Sequence, residues 1–146
     1  MKFISTINVS CILLLASILI NGSVAGAEEA IVKNIPGSIK VNAEELIALV
    51  EKNPALIIID ARIVSDRLNG YIEGSISLPD IDTNCETLAR IIPDKKTPAL
   101  FYCNGPKCGR SAKSVKIALD CGFTNVYWFY GGFEEWQNKK YPLVKD

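Results

Sequence analysis

The sequence predicts a single α/β domain, a mostly parallel sheet with helices on both sides, and three observations predict it. The chain has 146 residues, room for one domain with a real core. Strand-like and helix-like segments alternate along it. Two of the strand-like runs, "ALIIID" (55–60) and "ALFYC" (99–103), have no polar face, as expected of strands covered on both sides.

Each element has its own signal. Residues Met1–Ala27 read as a secretory signal: Lys2 gives the positive start, Cys11 to Ile20 the apolar run, and Ala25 and Ala27 the small residues before a cut at Glu28. The apolar run is shorter than the roughly 20 residues of a membrane-spanning helix. Residues 28–36 are expected to be a mobile linker, and residues 37–146 the domain proper. "SIKV" is a short strand. Asn42 and Glu45 form a capping-box pattern for a helix to Lys52, with Leu46, Ile47, Leu49 and Val50 expected on its buried side. Asn53 and Pro54 stop it, and the strand 55–60 follows. "ARIVSDRLNGYIEG" is a loop with one helical turn, and "SISLP" a short strand. Asn84 caps a short helix that "PDKKTP" ends. After the strand 99–103, a helix spans Arg110 to Asp120 with Ala112, Val115, Ala118 and Leu119 inward, closed by Gly122. "NVYWF" is the last strand, and "FEEWQNKK" a last helix after the turn "YGG".

Composition removes whole classes of function. The chain has 16 basic and 16 acidic side chains; loss of the signal removes Lys2 alone and leaves a net charge near −1. Without a concentrated basic patch, neither nucleic acid nor a membrane surface is an expected partner. There is no histidine. That excludes Ser-His-Asp and Cys-His nucleophile pairs, His-ligated zinc and the usual proton shuttle at neutral pH. Four cysteines remain in the mature chain: Cys85, Cys103, Cys108 and Cys121. Their spacing lacks two close Cys-x-x-Cys pairs, so no metal is expected. An even count in an exported domain allows up to two disulfides in three pairings.

The stretch "FYCNGPKCGRSAKS" (101–114) carries the chemistry. Cys103 stands where a strand ends, in the place where ligands of parallel α/β folds bind. Arg110 and Ser111 open the next helix, whose first turn has unpaired N–H groups and a partial positive charge. Gly105 and Gly109 permit a backbone that gathers N–H groups into an anion nest. A thiolate at Cys103 in that nest needs no base. Lys107 and Arg110 are candidate holders of an oxyanion, Arg110 through its planar fork of donors.

Four segments together resemble the rhodanese family over nearly all of the mature chain: "LIIIDAR", with Asp60 and Arg62; "GYIEGSISLP" (70–79); "ALFYC…GRS"; and "GFTNVYWFYGGFEEW" (122–136). The resemblance implies a three-layer α/β fold around a five-stranded sheet and a sulfane-sulfur transfer reaction with no cofactor. Cys103 would attack a donor such as thiosulfate or a persulfide, hold the sulfur as a persulfide, and pass it to cyanide or a thiol. Arg110, Lys107, Gly105, Gly109 and Ser111 would bind the substrate. Asp60 and Arg62 would be structural support. Periplasmic location and a periplasmic thiol-redox partner complete the expectation.

The loop departs from the family pattern of Cys-x4-Arg, since six residues separate Cys103 from Arg110. The extra length and Tyr102, where related phosphatases have His, count against a phosphatase or arsenate reductase. Cys108 has two readings: a disulfide partner of Cys103, or a thiol that resolves its persulfide. Cys121 reads as a small buried residue, and its pairing with Cys85 as possible without geometric support. Trp128 and Trp136 read as core packing, and Glu134 and Glu135 as helix N-terminal carboxylates. A thiol–disulfide switch built on Cys103 and Cys108, or a non-catalytic binding module, are the alternatives to the enzyme.

Overall fold

The computed structural model describes residues 32–145. The signal expected over 1–27 lies outside the described residues. Five strands form one sheet in the order β1-β5-β4-β2-β3, with every pair parallel. They are β1 (Ile39–Val41), β2 (Ile57–Asp60), β3 (Ile76–Ser77), β4 (Ala99–Tyr102) and β5 (Val126–Phe129). The helices are α1 (Ala43–Lys52), α2 (Val64–Arg67), α3 (Cys85–Ile91), α4 (Arg110–Asp120) and α5 (Gly132–Asn138).

The three layers arise from the period-2 alternation of side chains along a strand. Ile59, Phe101 and Trp128 point to one face, where Leu88 of α3 and Ala112, Val115 and Ala118 of α4 cover them. Ile58, Leu100, Tyr102 and Phe129 point to the other, against Ala43 and Leu46 of α1 and Phe133 and Trp136 of α5. This double cover is why β4 is buried at all four positions and reads as an unbroken apolar run.

Local signals set the helix ends. Asn42 accepts from the Glu45 N–H while the Glu45 carboxylate accepts from the Asn42 N–H, a full capping box at α1. Asn84 and Thr87 make the same reciprocal pair at α3. Gly122 ends α4 at φ +85°, the left-handed conformation that glycine adopts freely.

Three expectations change. Val50 is 48% exposed rather than buried, because the last turn of α1 overhangs an open apolar groove between Leu46, Ile58, Ile72 and Trp136. The expected linker at 28–36 ends earlier than its polarity suggests: Ile35 is buried in the α3/α4 core and Val32 packs against it. Cys121 is half-exposed and forms a disulfide with Cys85. Cys85 opens α3 and Cys121 follows α4, and both helices lie on the same sheet face, so the fold supplies the proximity that their 36-residue separation hides.

Candidate functional site

The parallel strands gather their carboxyl ends along one edge, and Asp60 and Tyr102 are register partners there. Beyond β2 the side chains form a closed ionic cluster. The Asp60 carboxylate accepts from Arg62 at 2.7 and 2.9 Å, from Arg67 at 3.0 Å and from the Tyr102 hydroxyl at 2.8 Å. Arg62 also donates to the Gly70 carbonyl, and Arg67 to Ser75, tying the loop 61–75 down. Asp60 and Arg62 are fully buried. Burial opposes the Arg62 charge, but its hydrogen bond to Asp60 and the Asp60 charge outweigh it and raise the guanidinium pKa. Burial, then the Asp60 charge, push the Tyr102 hydroxyl well above its ordinary range. These groups satisfy one another and hold the loop.

The chain after β4 is arranged differently. The N-terminal amides of α5 pin its start: Phe133 N–H donates to the Cys103 carbonyl at 2.8 Å and Glu134 N–H to the Asn104 carbonyl at 2.7 Å. Gly132 makes this approach possible, at φ +59°; a Cβ there would lie 2.4 Å from the Cys103 carbonyl oxygen. The Asn104 amide donates to Asp66 of α2 at 2.8 Å.

Two free thiols share this loop. Cys103 is 1% exposed. Its sulfur accepts from the Ser111 hydroxyl at 3.2 Å, and Ser111 in turn accepts from the Trp128 indole N–H at 3.0 Å. Cys103 Sγ also lies 3.0 Å from the Cys108 carbonyl oxygen, a contact that only a protonated thiol can make favourably, by donating. Cys108 is half-buried, with its sulfur 3.9 Å from Arg110 Nη1. The two thiols are pushed in opposite directions. The hydrogen bond from Cys103 lowers the Cys108 pKa to about 5, against the effect of burial, aided by the N–H groups of Arg110 and Asn104 and by the Arg110 charge. The same hydrogen bond, then burial, push the Cys103 thiol up. Negative charge on the pair is therefore favoured at Cys108, the more exposed sulfur and the one beside Arg110.

The N–H groups gather here without left-handed glycine. Neither Gly105 nor Gly109 takes a positive φ. The N–H groups of Asn104 and Arg110 serve the Cys108 sulfur, and that of Ser111 serves Cys103. Gly105 instead makes room: a Cβ there would meet the Glu134 carboxylate at 2.5 Å.

Cys108 opens into a cavity of about 560 Å³, lined also by Asn104, Lys107, Arg110, Lys113, Asp80 and Glu134. Cys103 is not in the lining. Of the residues singled out from the sequence, the fold thus brings Cys103, Cys108, Gly105, Lys107, Gly109, Arg110 and Ser111 into one site. Asp60 and Arg62 stand apart in the β2 cluster. Sequence reasoning missed Asp66, Asp80, Asn104 and Lys113; Trp128, read as core packing, is in the core and also donates to Ser111. Arg110 is partly exposed between Asp66 at 3.8 Å and Asp80 at 3.7 Å, and Lys113 donates to Asp80 at 3.0 Å. Lys113 had a signal, since it lies three residues after Arg110 on the same helix face.

Comparison with known proteins agrees with this architecture. A Drosophila melanogaster rhodanese domain-containing protein, CG4456, is 29% identical over 102 residues, spanning 62% of this chain and 90% of that one. The crystal structure of the BH2092 protein of Bacillus halodurans superposes with a TM-score of 0.66 at 25% identity, covering 74% of this chain and 77% of the other. A thiosulfate sulfurtransferase from Pseudomonas aeruginosa superposes with a TM-score of 0.65 at 27% identity over 74% of this chain, which matches 20% of that larger protein. The family model for the rhodanese-like domain matches residues 42–139, most of the chain, and with its fold the match settles that this protein belongs to the rhodanese-like domain family.

Proposed function

We propose that this chain is a sulfurtransferase: it takes sulfane sulfur from a donor such as thiosulfate, holds it as a cysteine persulfide after β4, and yields it to a thiol or cyanide. One observation carries the reading. The Cys108 thiol stands beside Arg110, at the mouth of a cavity that Lys107 and Lys113 also line, a setting that favours its charged form in a chain with no histidine to serve as base. A dianionic donor meets three cations there, partly offset by Asp80 and Glu134. The amides that favour the thiolate also favour the charged persulfide that replaces it. The position of Cys103 at the strand end puts the persulfide there; the open cavity offers Cys108 as a second seat. The likeness to a thiosulfate sulfurtransferase supports the donor class. The Cys85–Cys121 disulfide supports an oxidising compartment, in keeping with export to the periplasm.

The test is thiosulfate:cyanide turnover, with sulfite release followed on the reduced full chain after thiosulfate alone. The expected result is thiocyanate formation in the first assay and release of sulfite in the second, both abolished in the Cys103→Ser/Cys108→Ser double variant. A wild-type chain that releases no sulfite, or a double variant that turns over as fast, overturns the reading. Were oxidant to join Cys103 to Cys108 while thiosulfate released no sulfite, the thiol–disulfide switch would take its place.

A further inference from the structure

We infer that Cys108 is the thiol that accepts sulfur from the donor, and that Cys103 is a resolving thiol that expels the sulfur as hydrosulfide. The inference rests on the sulfurtransferase reading and reverses the order that the strand-end position of Cys103 suggests.

Access and hydrogen bonding both set this order. A donor entering the cavity meets Cys108, with Arg110, Lys107 and Lys113 around it, whereas Cys103 lies behind the loop at 1% exposure. The contact of Cys103 Sγ with the Cys108 carbonyl oxygen at 3.0 Å holds a proton on Cys103, since a thiolate would face the negative end of a carbonyl dipole. The proton is thus stored on the buried sulfur and the electron pair offered by the exposed one.

The steps balance. The Cys108 thiolate attacks the outer sulfur of thiosulfate; the S–S bond of the donor breaks, and its electron pair leaves with sulfite. Cys108 now carries a persulfide, with the terminal sulfur anionic. Cys103 then attacks Cys108 Sγ, the Cys103–Cys108 bond forms, and the terminal sulfur leaves as hydrosulfide, taking the Cys103 proton. The transferred sulfur is reduced by two electrons and the cysteine pair is oxidised by two. A dithiol reductant attacks the new disulfide and restores both thiols. In this scheme the protein delivers sulfide to solution and electrons come from a dithiol, so an external thiol acceptor is needed only to reset the pair.

The polar neighbours fit these roles. Ser111 donates to Cys103 Sγ and is itself held by Trp128, an arrangement that supports negative charge on Cys103 as its proton departs. The Arg110 guanidinium stays with Cys108, its Nη1 3.9 Å from the sulfur. Cys103 Sγ already lies 3.0 Å from the main chain of Cys108, so the two thiols start as near neighbours in one loop.

The experiment treats the reduced full chain with thiosulfate near neutral pH, then follows peptide mass and free hydrosulfide in wild type, Cys103→Ser, Cys103→Ala and Cys108→Ser. Wild type is expected to release one hydrosulfide per chain without added thiol and to end as the Cys103–Cys108 disulfide. Both Cys103 variants are expected to stop with a lasting persulfide on the Cys108 peptide and to release no hydrosulfide. Cys108→Ser is expected to take up sulfur slower than wild type by about tenfold or more, its remaining thiol being buried and protonated. A Cys108→Ser chain that forms a Cys103 persulfide at the wild-type rate overturns this order while leaving sulfur transfer intact. Hydrosulfide release that persists in both Cys103 variants overturns the resolving role. A wild-type chain that takes up no sulfur overturns the sulfurtransferase reading and this inference with it.

Discussion

Asp60 and Tyr102 end neighbouring strands in register, yet the segments after them handle charge in opposite ways. After β2, one carboxylate meets two guanidiniums and a phenol within 3.0 Å, Asp60 and Arg62 are fully buried, and the groups satisfy one another. After β4, a thiolate, three cations and two carboxylates face an open cavity, and the Arg110 pairs are as long as 3.7 and 3.8 Å. Charge that is spent on neighbours fixes a loop; charge left facing a cavity can bind. The sharpest way to break this contrast is by stability. Asp60→Ala strands two guanidiniums, one of them buried, and is expected to lower unfolding free energy by about 3–5 kcal/mol. Cys108→Ser, at a half-buried site, is expected to cost about 1 kcal/mol or less while removing uptake of sulfur at the wild-type rate. Urea unfolding of the two variants checks this, and equal losses would erase the distinction between a structural and a functional cluster.

A smaller effect sharpens the same contrast from the thiol side. With its pKa lowered to about 5, Cys108 is ionised at neutral pH and protonates only as pH falls through that value. Alkylation of Cys108 by iodoacetamide should therefore stay nearly constant from pH 8 to about 6 and fall by half near 5. Arg110→Gln removes one of the charges that lower the pKa, so its inflection should move upward. An inflection in wild type at the ordinary thiol value of about 8.5 would contradict the lowered Cys108 pKa.

The two clusters were also unequally legible in the sequence. Asp60 and Arg62 sit two residues apart, and their pairing is local. So are the capping boxes at Asn42 and Asn84 and the span of α4, which begins and ends at the residues its pattern indicates. Local spacing carries such features because their partners lie within one turn of chain. Asp66 and Asp80 reach Arg110 across 44 and 30 residues, from α2 and from the segment after β3. A parallel sheet brings those segments together, but no local pattern marks which acid points inward. The Cys85–Cys121 bond was hidden for the same reason, being made by two helices that meet only once both have docked on the sheet. The division of charge between Cys103 and Cys108 lay further out of reach. It turns on one carbonyl oxygen and three N–H groups, whose directions depend on loop conformation and leave no trace in residue identity.

Lys113 should show the weakest effect, and it tests how far the open cluster steers its donor. Its ammonium is half-exposed and already bonded to Asp80 at 3.0 Å, so part of its charge is spent and water screens the rest. Lys113→Gln is expected to raise KM for thiosulfate by about two- to threefold at low salt with kcat unchanged, because the lost attraction acts on the donor before and during reaction alike. Near 1 M salt, where screening acts within about 3 Å, the difference should vanish. Arg110→Gln should retain part of its defect there, since Arg110 lies 3.9 Å from the Cys108 sulfur and acts on the thiolate itself. If the two variants faded together with salt, Arg110 would be one more steering charge, and the asymmetry between the thiols would have to come from the backbone N–H groups and the Cys103 hydrogen bond alone.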